Sequence, residues 1–178
     1  DAIGSKISDY LTKPINPSQV LLTAKKFLEG KKISAEYISR DYIKEFQEIS
    51  RNMMFDMNYE DWIETYLKLV TWELEMDSNR DLGLHQSIFD QKRECNLEFA
   101  KFVEKNYIKW INGVGDKPLL SNEVVADFLV PELGKDRTVY LFVIDCMRLD
   151  QWLLMEKELY DLYNISKNYY YSILPTAT

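Results

Sequence analysis

Between residues 33 and 112, apolar side chains recur every three to four positions, which is the spacing of an amphipathic α-helix. Three such stretches follow one another, and almost no Gly or Pro interrupts them before Gly113. Ser34 and Asn58 precede the first two stretches and are residues that commonly cap helices. The spacing therefore predicts three helices packed as an antiparallel bundle. The apolar positions are Ile38, Tyr42, Phe46, Ile49 and Met53; Trp62, Tyr66, Leu69 and Val70; and Cys95, Phe99, Phe102, Val103, Tyr107 and Trp110.

The first thirty residues have the pattern of a strand followed by a helix. Ile7 and Tyr10 belong to a short apolar strand, and Asn16 is placed to cap the helix that follows. Gly30 is a typical residue for ending such a helix. Residues 1–30 are therefore predicted to be the C-terminal end of an α/β domain.

A linker is predicted after the bundle. Gly113 breaks the helical spacing, and Ser121 is placed to cap a short helix from Asn122 to Leu129. These changes assign the bundle to residues 31–115 and the linker with its short helix to residues 116–136.

From residue 137 onward the pattern is strand, helix, strand. The run from Val139 to Ile144 is wholly apolar, a helix is predicted from about Leu149 to Tyr163, and a second strand runs from Tyr169 to Leu174. This order favours a parallel pair of strands joined by a right-handed crossover. Residues 137–178 are therefore predicted to begin a second α/β domain, and the chain to be a slice of mixed fold class from a longer protein.

Composition narrows the possible functions. Hydrophobic residues make up 46% of the 178 positions, enough for a packed core. The net charge is −7 and no basic cluster is present, which disfavours binding to duplex DNA. The longest apolar run is too short to cross a membrane, so no membrane insertion is expected. Two isolated cysteines, Cys95 and Cys146, and no signal peptide favour a cytoplasmic protein.

Three residues near strand ends are candidates for chemistry. Lys13 can hold an anion, although an ordinary surface lysine has the same pattern. Asp145 can ligate a divalent cation or simply cap the next helix. Thr178, or Thr176 before it, can become a nucleophile if a metal or base lowers its pKa, but threonine is also common in turns.

Two charged residues follow Asp145 closely. Arg148 can pair with Asp150 or with Asp145, or it can reach a substrate phosphate. The residues alone leave these three alternatives open.

The segment Asp-Tyr-Leu-Thr-Lys-Pro, followed by an amphipathic helix, resembles the end of a CheY-like receiver domain. The resemblance implies that Lys13 contacts a phosphoryl group and that Tyr10 reorients on activation. It also implies a receiver site that holds Mg²⁺. The phosphoacceptor aspartate is expected to lie outside this chain.

The segments Val-Ile-Asp-Cys-Met-Arg-Leu-Asp-Gln-Trp and Ser-Ile-Leu-Pro-Thr-Ala-Thr resemble the start of a PglZ domain of the alkaline phosphatase superfamily. The resemblance implies that Asp145 and Thr178 are metal ligands and that Thr178 is the catalytic nucleophile. It further implies two zinc ions and hydrolysis of oligonucleotide-type phosphodiesters. Arg148 and Asp150 then become candidates for contacting the substrate or supporting the metal ligands.

Receiver, helical bundle and PglZ domain in this order resemble the PorX-type response regulators of type IX secretion. The family implies a sensor histidine kinase as partner, dimerisation on phosphorylation, and contact with a sigma factor or a secretion component. The alternative is a non-enzymatic adaptor that binds such a partner. An apolar cluster at the end of the first bundle helix is the expected self-association surface; its members are Met53, Met54, Phe55, Met57 and Tyr59.

Overall fold

The computed structural model of the chain describes residues 17–176, and this part of the protein is helical. No strand is present within residues 17–176. The strand predicted for the end of the receiver lies in residues 1–16, outside the described residues. The helices are α1 (Pro17–Asn52), α2 (Tyr59–Ser78), a 3₁₀ turn (Arg80–Leu82), α3 (His85–Ile111), a π-helical turn (Val125–Leu129), a second 3₁₀ turn (Val130–Glu132) and α4 (Leu149–Leu159).

Helix α1 is longer than predicted, because it continues through the expected boundary at Gly30 and Ser34. The predicted stop at Gly30 and the predicted cap at Ser34 are therefore wrong. A glycine ends a helix when it adopts a positive φ, and Gly30 does not. In a helical conformation it costs only about 1 kcal/mol relative to alanine, which flanking helix-forming residues can offset.

The chain divides into two compact units, Asp1–Glu48 and Ile49–Thr178. In the first unit Tyr42 is buried, and its ring meets Phe46 edge-on with the ring centroids 6.0 Å apart. Burial raises the pKa of the Tyr42 hydroxyl.

The start of α2 is fixed by its own sequence, as predicted. The Asn58 side chain accepts hydrogen bonds from the backbone N–H groups of Glu60 (2.8 Å) and Asp61 (2.9 Å). The Asp61 carboxylate in turn accepts the Asn58 N–H at 2.9 Å, which completes a capping box. Three polar groups that a helix start leaves without partners are thereby satisfied locally.

The core of the second unit lies between α2 and α3, and the last turn of α1 contributes to it. Apart from Met57, its buried residues belong to the predicted helical stripes, so the helical character of the middle of the chain is confirmed. Tyr66 was predicted on the apolar face of the second helix, but it is 53% exposed. Three aromatic side chains interlock there: the Trp62 ring centroid lies 5.4 Å from that of Phe99 and 6.0 Å from that of Phe102. The buried core residues are Ile49, Met57, Trp62, Leu69 and Cys95.

The short α-helix predicted after residue 121 is replaced by the π-helical turn and the second 3₁₀ turn. Ser121 does not cap a helix, because its polar groups serve another segment. Its N–H donates to the Tyr171 carbonyl at 2.8 Å, and its Oγ accepts the Ile173 N–H at 3.1 Å. Pro131 follows, and its missing N–H prevents a regular helix from continuing.

Neither predicted strand after residue 137 is a strand in the described part of the chain. Tyr140–Ile144 is irregular and exposed, and residues 169–174 contribute one parallel bridge, between Leu120 and Tyr171. A strand is stable only beside a partner that takes its backbone hydrogen bonds, and these two segments do not pair with each other. Helix α4 also ends at Leu159 instead of Tyr163.

The α/β character of residues 1–30 and 137–178 therefore stays a prediction. Within residues 17–176, none of the helices combines the length and the apolar character needed to span a membrane.

Candidate functional site

Asp145 lies in a sharp turn that leads into α4. The next residue, Cys146, has a φ of 57°, a left-handed conformation that costs a residue with a side chain about 1–2 kcal/mol. The Asp145 Oδ1 accepts the Cys146 N–H at 2.9 Å, which stabilises the turn. Asp145 is exposed and does not cap α4, whose N-cap is Arg148. The capping alternative for Asp145 is therefore wrong.

Arg148 pairs with Asp150, one of the three alternatives that the sequence left open. Its Nε donates to Asp150 Oδ1 at 3.0 Å and its Nη2 to Oδ2 at 2.6 Å, a bidentate pair. The hydrogen bonds from the guanidinium lower the pKa of Asp150, and the same bonds raise the pKa of Arg148. The pair uses two of the five Arg148 N–H groups, and the Arg148 side chain is 71% exposed. A side chain this exposed leaves the guanidinium accessible to an anion.

The remaining predicted site residues cannot be placed. Thr178, Lys13 and Tyr10 lie outside the described residues, while Thr176 is the last residue that is described. Among residues 17–176, no cluster of three or more His, Cys, Asp or Glu side chains is arranged to hold a metal ion. A zinc site ordinarily takes three or four protein ligands. Asp145 is a chemically suitable ligand, but the metal would need others in addition.

His85 is the first residue of α3. A phosphotransfer bundle needs an exposed histidine in the middle of a helix. His85 does not occupy such a position, which disfavours a phosphotransfer role for it.

A wide groove of about 1280 Å³ runs beside the bundle and was not expected from the sequence. Trp62 and Leu69 of α2 and Phe99 of α3 form part of its wall, and Arg148 and Asp150 also line it. The groove is open and mostly apolar. Its walls come from segments far apart in the chain, so no local pattern indicates it.

Tyr171 anchors the segment before Thr178 to the bundle. Its ring centroid lies 5.4 Å from that of Trp110 and 5.9 Å from that of Phe99. Its hydroxyl donates to the Tyr59 carbonyl at 2.8 Å. Burial strongly raises the pKa of this hydroxyl, so it stays protonated and remains a donor.

Tyr107 of α3 holds the same segment at a second point. Its hydroxyl donates to the Leu174 carbonyl at 3.1 Å and accepts the Leu174 N–H. One side chain thus binds both backbone groups of Leu174, which lies in a bend outside any strand in the described part of the chain. Sequence reasoning placed Tyr107 on the apolar face of the third helix but had no signal for this contact.

The apolar cluster at the end of α1 is only partly a surface. Met57 is buried and Met53 packs against the core, where its Sδ lies 3.4 Å from the Cys95 Sγ. Met54 and Phe55 are exposed by 82% and 71%. Of the five residues expected to form the self-association surface, only these two are exposed, while Tyr59 is half-buried.

Residues 32–111 match the family model described as the PorX response regulator linker domain. The match covers the last part of α1, all of α2 and all of α3. The search of curated proteins found no match.

Proposed function

We propose that this chain joins a receiver to a PglZ output domain, because residues 32–111 match the family model of the PorX response regulator linker domain. The output domain is a zinc-dependent phosphodiesterase that acts on oligonucleotide-type phosphodiesters, and the whole protein controls type IX secretion from the cytoplasm. A sensor histidine kinase phosphorylates the receiver, where Mg²⁺ binds and Lys13 and Tyr10 respond. The observation that carries the proposal is the family match, which covers the middle of the predicted order of domains.

The turn at Asp145 supports the metal-binding part of the proposal. A left-handed residue directly after a candidate ligand is a strained conformation, and such strain is concentrated at functional sites. The exposed Asp145 carboxylate is available to a cation, whereas Asp150 has both oxygens bound by Arg148. When bound, zinc would lower the pKa of the threonine hydroxyl and neutralise the negative charge that develops on the phosphate.

This chain's own residues then have distinct roles. Thr178 provides the attacking hydroxyl, and Asp145 provides one anionic ligand. Asp150 holds the Arg148 guanidinium in a fixed orientation, so that its remaining N–H groups can bind a phosphate oxygen of the substrate. Arg148→Lys should therefore raise KM more than it lowers kcat, since the ammonium keeps the charge but loses the bidentate pair.

The test of the enzymatic proposal compares two variants of the full-length protein. Thr178→Val should keep the bound zinc and lose phosphodiester hydrolysis, because valine has nearly the same shape but no hydroxyl. Asp145→Asn should lose zinc first, because the site loses an anionic ligand. Bound zinc and the rate of hydrolysis of bis-p-nitrophenyl phosphate are measured for each purified variant.

Two matched controls lie in the same region. Thr138→Val and Asp161→Asn make the same chemical changes at exposed positions and should leave zinc content and rate unchanged. Hydrolysis at the parent rate by Thr178→Val would show that the nucleophile assignment is wrong, and Thr176→Val would be measured next.

A second candidate function is the non-enzymatic adaptor, in which the chain binds a sigma factor or a secretion component. The wide apolar groove beside α2 and α3 favours it, because such exposed apolar surfaces are typical of partner sites. If the purified full-length protein contains no zinc and hydrolyses no phosphodiester, the adaptor function is favoured over the enzymatic one.

Dimerisation on phosphorylation is proposed through Met54 and Phe55, which project from the turn between α1 and α2. Sedimentation of the full-length protein with and without beryllofluoride, a phosphoryl mimic, should show a shift from monomer to dimer. Phe55→Ser should weaken the dimer, whereas Phe89→Ser, at a position on α3 that is also well exposed, should not. A monomer under both conditions would contradict this mechanism.

A further inference from the structure

The wide groove beside the bundle is large enough for a segment of another protein. The positions of α2 that line it extend from Trp62 to Asp77, a rise of about 22 Å along the helix axis. Its volume of about 1280 Å³ is above the range of about 300–1,000 Å³ that is usual for small-molecule pockets. A protein segment therefore matches the groove better than a small molecule does.

The wall of the groove is apolar along both helices of the bundle. Val70 and Leu74 of α2 and Val103 of α3 line it, and Tyr66 lines it with a side chain that is 53% exposed. Trp152 of α4 contributes a second aromatic ring. An amphipathic helix fits such a wall, because its apolar side chains recur every three to four positions along one face and can lie in the groove together.

The two cations at the groove are already paired with carboxylates of its own wall. The Lys92 Nζ lies 2.5 Å from the Glu73 Oε2, and the Arg148 Nη2 lies 2.6 Å from the Asp150 Oδ2. Asp77 is a third carboxylate of the lining and is exposed. Among the described residues, the lining thus contains three carboxylates and two cations, so it carries an excess of negative charge.

Helix α2 extends this negative charge beyond the groove itself. It contains six carboxylates but only one ammonium group, that of Lys68. The whole chain has a net charge of −7. A surface of this kind attracts a cationic partner and repels an acidic one, and both effects weaken as salt is added. The carboxylates of α2 are Glu60, Asp61, Glu64, Glu73, Glu75 and Asp77.

We propose that this groove is the docking site for a basic amphipathic helix of a partner protein. The apolar side chains of that helix lie against α2 and α3, and its Lys or Arg side chains lie beside Asp77 and Glu73. The inference deepens the second candidate function and rests on it only in taking the groove as a partner site. It does not require the output domain to be inactive. Charge then selects the partner, and the apolar wall holds it.

The experiment measures the binding of two designed, fluorescently labelled peptides to the purified full-length protein. Each peptide is a helix of about 16 residues, which matches the length of the groove along α2, with Leu at every third or fourth position. One peptide has Lys on its polar face and the other has Glu. Fluorescence anisotropy should show that the Lys peptide binds at least about tenfold more tightly than the Glu peptide, and that this difference shrinks between about 50 mM and about 500 mM salt.

Two variants test whether the peptide binds in the groove. Tyr66→Ala removes an exposed ring from the wall and should weaken binding of the Lys peptide about tenfold. Asp77→Lys reverses an exposed charge and should weaken binding at low salt much more than at high salt. Tyr163→Ala and Asp136→Lys are the matched controls, because they make the same changes at exposed positions outside the groove and should leave binding unchanged.

Hydrogen exchange then shows which surface is covered. Exchange of the amides in residues 62–77 should slow when the Lys peptide is added. If exchange there slowed instead as the concentration of the protein alone was raised, a second copy would cover the groove and the inference would be overturned.

The possible results separate this inference from the functions proposed above. Tighter binding of the Lys peptide that both groove variants weaken supports it. It is overturned if neither peptide binds, if the Glu peptide binds more tightly, or if either groove variant binds the Lys peptide as the parent does. Zinc content and phosphodiester hydrolysis of the same preparation show independently whether the output domain is an enzyme or an adaptor, so a failure of either proposal is recognised by its own measurement.

Discussion

Replacing Leu69 with alanine tests whether the core between α2 and α3 determines the stability of the second unit. Leu69 is 4% exposed and belongs to the cluster that contains Trp62 and Cys95. Truncation removes apolar contacts inside this cluster and leaves a space that the helices cannot close completely. We expect the free energy of unfolding of this unit to fall substantially.

The size of the effect follows from the position of Leu69. Leucine-to-alanine changes at fully buried sites cost about 2.7–5 kcal/mol, and the larger values come from closed cavities. Leu69 also lines the groove beside the bundle, so water can enter the vacated space. The cavity part of the cost is then small, and we expect about 3 kcal/mol. For a chain of this length, that corresponds to a lowering of Tm by about 6–12 °C.

The assay is urea unfolding followed by tryptophan fluorescence. All four tryptophans, Trp62, Trp72, Trp110 and Trp152, lie in the second unit and report on its unfolding alone. Leu97→Ala on α3 is the control, because Leu97 is 58% exposed and its truncation should change stability by less than about 0.5 kcal/mol. If both variants unfolded at the parent urea concentration, the assignment of this cluster as the stabilising core would be refuted.

Asn58→Ala should destabilise α2 by about 1 kcal/mol in the same urea assay, whereas Asn58→Asp should stay near the parent, because a carboxylate still accepts the two N–H groups of the cap. Burial raises the pKa of Glu156, but the hydrogen bonds it accepts, led by that from the Lys167 ammonium, outweigh burial and hold the pKa below its ordinary value of 4.5. Glu156 therefore adds stability above about pH 4.5, and this stability is lost as the pH falls through the pKa of the folded state. Glu156→Gln should remove this part of the pH dependence. If the variant and the parent had the same dependence of stability on pH between pH 5 and pH 3, this prediction would be contradicted. Burial raises the pKa of the Cys95 thiol to about 11. At pH 8 an aromatic disulfide reagent should therefore label the exposed Cys146 rapidly and Cys95 only after unfolding. Rapid labelling of both thiols in the folded protein would be inconsistent with the described core.

Local signals in the sequence predicted some elements correctly. Asn58 caps α2 as expected, because the groups that a cap satisfies lie within three residues of it. The apolar spacing also identified most of the buried positions of α2 and α3, although Tyr66 of the predicted face is exposed. The same kind of reasoning failed at Gly30, where one weak local signal competed with a long run of helix-forming residues on both sides.

The sequence by itself determined the helical middle of this protein and the chemical types of its candidate site residues, because periodicity, caps and side-chain chemistry are local properties. Only the tertiary structure decided which groups meet. It joined Tyr107 to Leu174 across 67 residues and Tyr171 to Tyr59 across 112 residues, and it selected Asp150 over Asp145 as the partner of Arg148. Contacts at such separations depend on how helices and extended segments pack in three dimensions, and no short stretch of sequence contains that information.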